Sequence, residues 1–145
     1  MSKALHLLRE QLDGQERQAA AELGAAQLQL QQLEQQQQTL SQYQRHYSQE
    51  FQHRGQQGLS AHQFGHFQGF IDKLELAQQQ QRQGLQQARQ RLERSRSAWM
   101  AVRARKQAID KLLERDAGRK RLETARQEQK MLDNLAIYRF HKKSM

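Results

Sequence analysis

Along the second half of the chain, Phe64, Phe67, Ile71, Leu74, Gln78, Gln81, Leu85, Ala88, Leu92, Ser95, Trp99, Val102, Lys106, Ile109 and Leu113 follow one another at alternating intervals of three and four residues. That spacing is the heptad seam of a coiled coil, sustained over about seven repeats. The first half carries the same signal in Leu23, Ala26, Leu30, Leu33, Gln37, Leu40, Gln44, Tyr47 and Phe51. Upstream, Leu5, Leu8, Leu12, Gln15 and Ala19 extend it, and the two steps of four from Gln15 through Ala19 to Leu23 predict a stutter that locally unwinds the supercoil.

Between the two runs, Gly55 and Gly58 suit a helix C-terminus and a turn, and Ser60 followed by Gln63 has the spacing of a capping box. So short a connection makes the helices antiparallel neighbours. The expected fold is all-α: two long helices in an antiparallel coiled-coil hairpin, the second longer than the first. The expected boundaries are one domain over 1–145, with helix 1 over 3–53, a turn over 54–60 and helix 2 over 61–140. Folding the seams together places Phe51 by Phe64, Tyr47 by Phe67, Leu30 by Leu85 and Leu5 by Ile109, with Gln37 facing Gln78 as a polar layer that specifies register. Helix 1 is then exhausted near Leu113, so residues after 114 overhang the paired region, carrying a shifted stripe of Leu122, Ala125, Gln129, Leu132 and Ala136.

Composition supports elongated helices over a globule. Only 36% of residues are hydrophobic and there is no proline, while helix-favouring Gln, Arg, Leu, Ala and Glu dominate. The chain has no cysteine, which excludes disulfides and thiolate metal sites. No apolar run approaches a membrane span, and charge returns at Arg9 and Glu10 before a signal-peptide core can form, so a soluble, cytoplasmic protein is expected. The net charge of +9 is divided unevenly: residues 1–72 hold five Lys/Arg against seven Asp/Glu, and residues 73–145 hold 19 against 8. Two halves of opposite sign attract when folded side by side, and the surplus of positive charge calls for an acidic partner or solvent.

Candidate chemistry is sparse. His62 and His66 stand at i, i+4 as metal ligands do, but few carboxylates lie near them, and no metal or other cofactor is expected. The Gln35–Gln38 and Gln78–Gln81 tracts sit inside intact heptads and read as polar helix surface and core layers. The basic run from Arg103 to Lys130 is interrupted by Glu114, Asp116, Glu123 and Glu128 and matches no nucleic-acid-reading module, so specific nucleic-acid binding is not expected. No nucleophile elbow or phosphate loop is present, and an enzyme is not expected. The most suggestive surface is a second stripe rotated by one position from the seam, Phe70, Leu74, Ala77 and Gln81, readable as a docking strip or as cover for the seam edge.

The Tyr43-Gln44-Arg45-His46-Tyr47 end of helix 1, the Gly55–Gly58 turn, the segment Phe67-Gln68-Gly69-Phe70-Ile71-Asp72-Lys73-Leu74-Glu75, Trp99 and Glu128-Gln129-Lys130-Met131-Leu132-Asp133 together resemble the flagellar FliJ family, over essentially the whole chain. The resemblance implies a non-catalytic component of the flagellar type III export apparatus, serving motility, at the cytoplasmic face of the inner membrane. Its implied role is a central stalk in the hexameric export ATPase that promotes ring assembly and activity. Its implied further partners are the export-gate membrane protein, through which alone it would associate with the membrane, and export chaperones. On this reading Phe70, Leu74, Ala77 and Gln81 form the gate-contacting strip, although Gln81 departs from the bulkier side chain expected there. Arg115, Arg119, Lys120, Arg121, Arg126 and Lys130 would contact the ATPase ring by electrostatic complementarity. A stalk of this kind is expected to be a monomer alone. The alternatives are a generic coiled-coil adaptor that self-associates and a nonspecific nucleic-acid-binding coiled coil.

Overall fold

A computed structural model describes residues 2–144. It consists of two helices, α1 (Ser2–Gln57) and α2 (Ala61–Ser144), packed against each other in antiparallel fashion. Helix α1 continues through Gly55 to Gln57, past the expected end at 53. Among the described residues only Gly58 adopts positive φ, at 92°, and its N–H closes on the Gly55 carbonyl at 3.3 Å. The new helix starts as a capping box: the Gln63 N–H donates to Ser60 Oγ and the Ser60 N–H donates to Gln63 Oε1, each at 3.2 Å. The Phe64 N–H then donates to the Ser60 carbonyl at 2.9 Å, the first bond of α2.

The chain divides into two compact units, Gln18–Met100 and Met1–Arg17 with Ala101–Met145. In the Gln18–Met100 unit the core is thin. Ala19, Ala26, Leu85, Ala88 and Gln78 are buried, and the remaining seam side chains are half-buried apart from the exposed Phe64, as a two-helix packing without a third layer requires. Among them Leu85 is the one large apolar side chain that is fully covered.

The pairing in this unit keeps the expected register where Gln81 bonds to the Leu33 carbonyl and Leu85 follows, and departs from it nearer the turn. Phe51 does meet Phe64, with ring centroids 5.6 Å apart, but Tyr47 packs on Phe70 at 4.3 Å rather than on Phe67. Gln78 does not face Gln37. It donates to Gln44 Oε1 at 2.5 Å, while the buried Gln37 Oε1 has no hydrogen-bond partner. The reason is the aromatic cluster beside the turn. Phe51 is flanked by Phe64 and Phe67 (5.8 Å), in tilted and edge-on contacts, and these bulky rings shift the stagger of the layers beside the turn.

In the Met1–Arg17 and Ala101–Met145 unit, Leu12 is the only buried apolar side chain among the described residues. The covered stripe of α1 here runs Ser2, Leu5, Arg9, Leu12 and Glu16, leading on to Ala19 and Leu23, with Asp13 and Gly14 half-buried at its edge. The alternation of four and three therefore continues unbroken, and the expected stutter is absent. Leu8 and Gln15 are exposed, and charged residues occupy the seam in their place. Arg9 pairs with Asp110, so Ile109 lies nearer the Arg9 layer than Leu5.

Candidate functional site

Three regions carry the chemistry. The first is the aromatic cluster beside the turn. A groove of about 480 Å³ is floored by Tyr47, Phe67 and Phe70 and rimmed by Glu50, Arg54, His62, Gln63 and His66. The Arg54 guanidinium lies over the Phe67 ring, 5.4 Å from its centroid, as a cation–π contact. Phe70, Leu74, Ala77 and Gln81 all lie in this unit and all are half-buried. Phe70 stacks on Tyr47, and the Gln81 side-chain amide donates to the Leu33 carbonyl at 2.8 Å. The strip is thus partly engaged by α1, because a helix packed on one neighbour presents an arc wider than a single seam. The outward apolar surface nearby comes from Phe64 and Leu76, which are exposed by half or more. Tyr47, Glu50 and Arg54 on α1 were not singled out as site residues by sequence; the dense run of aromatics, Arg and His around the turn was the available signal. Among the described residues no group of three or more His, Cys, Asp or Glu side chains is arranged to hold a metal, and His62 and His66 stand as rim residues of the groove.

The second region is the ionic seam of the other unit. Arg9 Nε donates to Asp110 Oδ1 at 2.5 Å, and its guanidinium also lies 3.5 Å from Asp13. Lys106 Nζ sits between two carboxylates, 2.8 Å from Asp13 and 2.9 Å from Glu16. Hydrogen bonding from Lys106 holds the Asp13 carboxyl below the usual carboxylate range, and the bonds to Asp13 and Glu16 raise the Lys106 ammonium. A depressed carboxyl contributes stability above its unfolded value of about 4, lost as pH falls through the lower folded value. A raised ammonium contributes below about 10.4, lost as pH climbs through the higher folded value. Far-ultraviolet circular dichroism is accordingly expected to stay flat from about pH 5 to about pH 9 and to lose helix only in stronger acid or base.

The third region is the end of α2. Every described side chain from Arg119 to Lys143 is exposed. Of the basic residues expected here, Arg115, Arg119, Lys120, Arg121, Arg126 and Lys130 all point to solvent. Lys120 is tethered, donating to Ser2 Oγ at 3.0 Å and lying 3.8 Å from Asp116. Asp116 and Gly118 remain half-buried, so the cover of α1 reaches to about this point. Beyond it, Leu122, Met131, Leu132, Leu135, Ile137, Tyr138 and Phe140 stand exposed among the basic side chains.

A hairpin of two helices with a bare basic end matches a known family along its length: the family model described as the flagellar FliJ protein covers residues 1–144. The chain belongs to the FliJ family. No curated protein matches it. As a FliJ-family protein it is a component of flagellar protein export, in a family that is structural and not known for catalysis. No helix among the described residues is long and apolar enough to cross a membrane. What this FliJ-family hairpin can do chemically is present two kinds of surface, an aromatic groove and a basic, apolar-studded helix.

Proposed function

We propose that the protein is a non-catalytic central stalk of the flagellar export ATPase, promoting assembly and activity of its hexameric ring. In this reading it also links the ring to the export-gate membrane protein and to export chaperones, at the cytoplasmic face of the inner membrane. The observation that carries the proposal is the stretch of α2 from Arg119 to Lys143, a single helix with all its described side chains exposed and with basic and large apolar groups intermixed. A lone helix is marginal in water, and exposed apolar side chains on it favour a partner. A ring pore with an acidic lining can take a single helix and complement Arg115, Arg119, Lys120, Arg121, Arg126 and Lys130. The direct experiment adds the purified protein to the cognate export ATPase: hydrolysis and hexamer formation should both rise, and unchanged hydrolysis would defeat the proposal.

The gate contact is proposed for Phe70, Leu74, Ala77 and Gln81, with exposed Phe64 and Leu76 beside them. Because Phe70 also packs on Tyr47, Phe70→Ala should cost stability as well as gate affinity, by about 1–2 kcal/mol for a half-buried ring. Tyr47→Ala removes the same stacking without touching the strip. Gate binding that falls about 10-fold or more in Phe70→Ala but little in Tyr47→Ala supports the strip, whereas equal losses would make Phe70 a packing residue only.

The exposed Leu122, Met131 and Leu132 also suit a self-associating adaptor. Sedimentation separates the two readings, since a stalk should run as a monomer and an adaptor as a dimer or larger.

A further inference from the structure

We propose that the Ser2–Arg17 segment is held to α2 by an electrostatic clasp that opens on its own, uncovering the Ala101–Gly118 face of α2. The two units are held by different forces. The Gln18–Met100 unit is held by buried Ala26, Leu85 and Ala88 and by the ring contacts of Tyr47, Phe51, Phe64, Phe67 and Phe70. Among its described residues the terminal unit fully buries one apolar side chain, Leu12, with Leu5, Val102, Ile109 and Leu113 half-buried, and its inter-helix ion pairs join Arg9, Asp13 and Glu16 to Lys106 and Asp110.

Arg9, Glu16 and Lys106 sit where a coiled coil normally places apolar residues, with Asp13 and Asp110 flanking them, yet none of the five is sealed from water. Lys106 is 26% exposed and Arg9 39%. Partly exposed ion pairs are screened by salt far more than apolar packing is, and salt strengthens apolar burial if anything. A segment as short as Ser2–Arg17 does not hold helical structure alone once its partner is lost. Opening therefore amounts to fraying of one helix end, while α2 remains continuous.

The consequence concerns how much of α2 a partner can reach. With the clasp closed, Val102, Ile109 and Leu113 are half-covered and the exposed face starts near Arg119. With it open, those side chains join Leu122 and Leu132 on one helix. Lys106 is then released from Asp13 and Glu16 and becomes available to an anionic surface. The N-terminal segment thus acts as an internal competitor for the helix face that carries the basic residues, whichever partner that face serves.

Hydrogen exchange on the full chain tests this, with the α1 amides of the Gln18–Met100 unit as internal control. Raising sodium chloride to about 1 M, where the Debye length is about 3 Å, should speed exchange in Ser2–Arg17 about 10-fold or more and leave the control amides unchanged. Lys106→Glu brings a third carboxylate to Asp13 and Glu16 and should open the segment at low salt. The double variant Arg9→Leu/Asp110→Leu, which makes one layer apolar, should weaken the salt response. Salt-independent exchange in the native chain, an equal response in both units, or native-like protection in Lys106→Glu would each overturn the proposal.

Discussion

Removal of residues 121–145 is expected to reduce stimulation of the export ATPase to the level of the ATPase alone, while the thermal midpoint of the remaining chain stays where it is. The two halves of that expectation come from the same observation. Side chains of α2 from Arg119 to Lys143 are exposed, so their loss removes no core packing. The cut spares Lys120, which donates to Ser2, and the half-buried Asp116 and Gly118, all of which belong to the cover of α1 over α2. A cut at 116, nearer the boundary expected from sequence, would remove those contacts and mix a stability effect into the activity measurement. Arg121, Arg126 and Lys130, half of the proposed basic contacts, are lost with the segment, together with the exposed Leu122, Met131, Leu132 and Phe140, so the apolar attraction for a ring pore is removed and the charge attraction is halved. Assayed at a protein concentration that saturates the full-length chain, retained stimulation would move the ATPase contact elsewhere in the molecule. A lowered midpoint would mean that the segment packs on the hairpin after all.

Leu85→Ala should be the most damaging single substitution for stability, by about 2–3 kcal/mol. Leu85 is 6% exposed and lies on α2 between Gln81, which bonds to the Leu33 carbonyl, and Arg91, which bonds to Gln29. It therefore faces the 29–33 stretch of α1, where a core one layer thick has no second shell to collapse into the cavity. Leu76→Ala in the same unit removes the same atoms from a side chain that is 55% exposed and should change stability by less than about 0.5 kcal/mol. Urea unfolding followed at Trp99, the only tryptophan, measures both variants within the Gln18–Met100 unit. Similar losses for the two leucines would show that exposure along α2 does not track energetic weight.

The heptad residues from Ala19 to Phe51 and from Phe67 to Leu113 were legible because a seam that packs against one neighbour repeats every seven residues whatever its partner is. The start of α2 was legible because a capping box is closed by side chains three residues apart, Ser60 and Gln63. The end of α1 was not. Gly55 and Gly58 are alike in sequence, and only backbone geometry shows that one stays helical while the other turns. The seam near the N-terminus was misread for a different reason. Leu8 is apolar and Arg9 charged, so a pattern of apolar residues selects Leu8; but Arg9 faces Asp110, a partner 101 positions away that no local pattern contains. The stripe of Phe70, Leu74, Ala77 and Gln81 is legible from periodicity, yet the half-burial of Phe70 against Tyr47 depends on the stagger between helices.

By itself, then, the sequence determined whatever local spacing controls: two helices, a short turn between them, a second helix longer than the first, and a basic surplus gathered on α2. Only the tertiary structure decided that Arg9 and Glu16 line the seam near the N-terminus, that Gln78 bonds to Gln44 while Gln37 Oε1 is left without a hydrogen-bond partner, and where along α2 the cover of α1 stops. Those outcomes depend on bringing residues tens of positions apart to within a few ångströms. Ring packing beside the turn and the ion pairs near the termini set that alignment, and neither acts until the two helices meet.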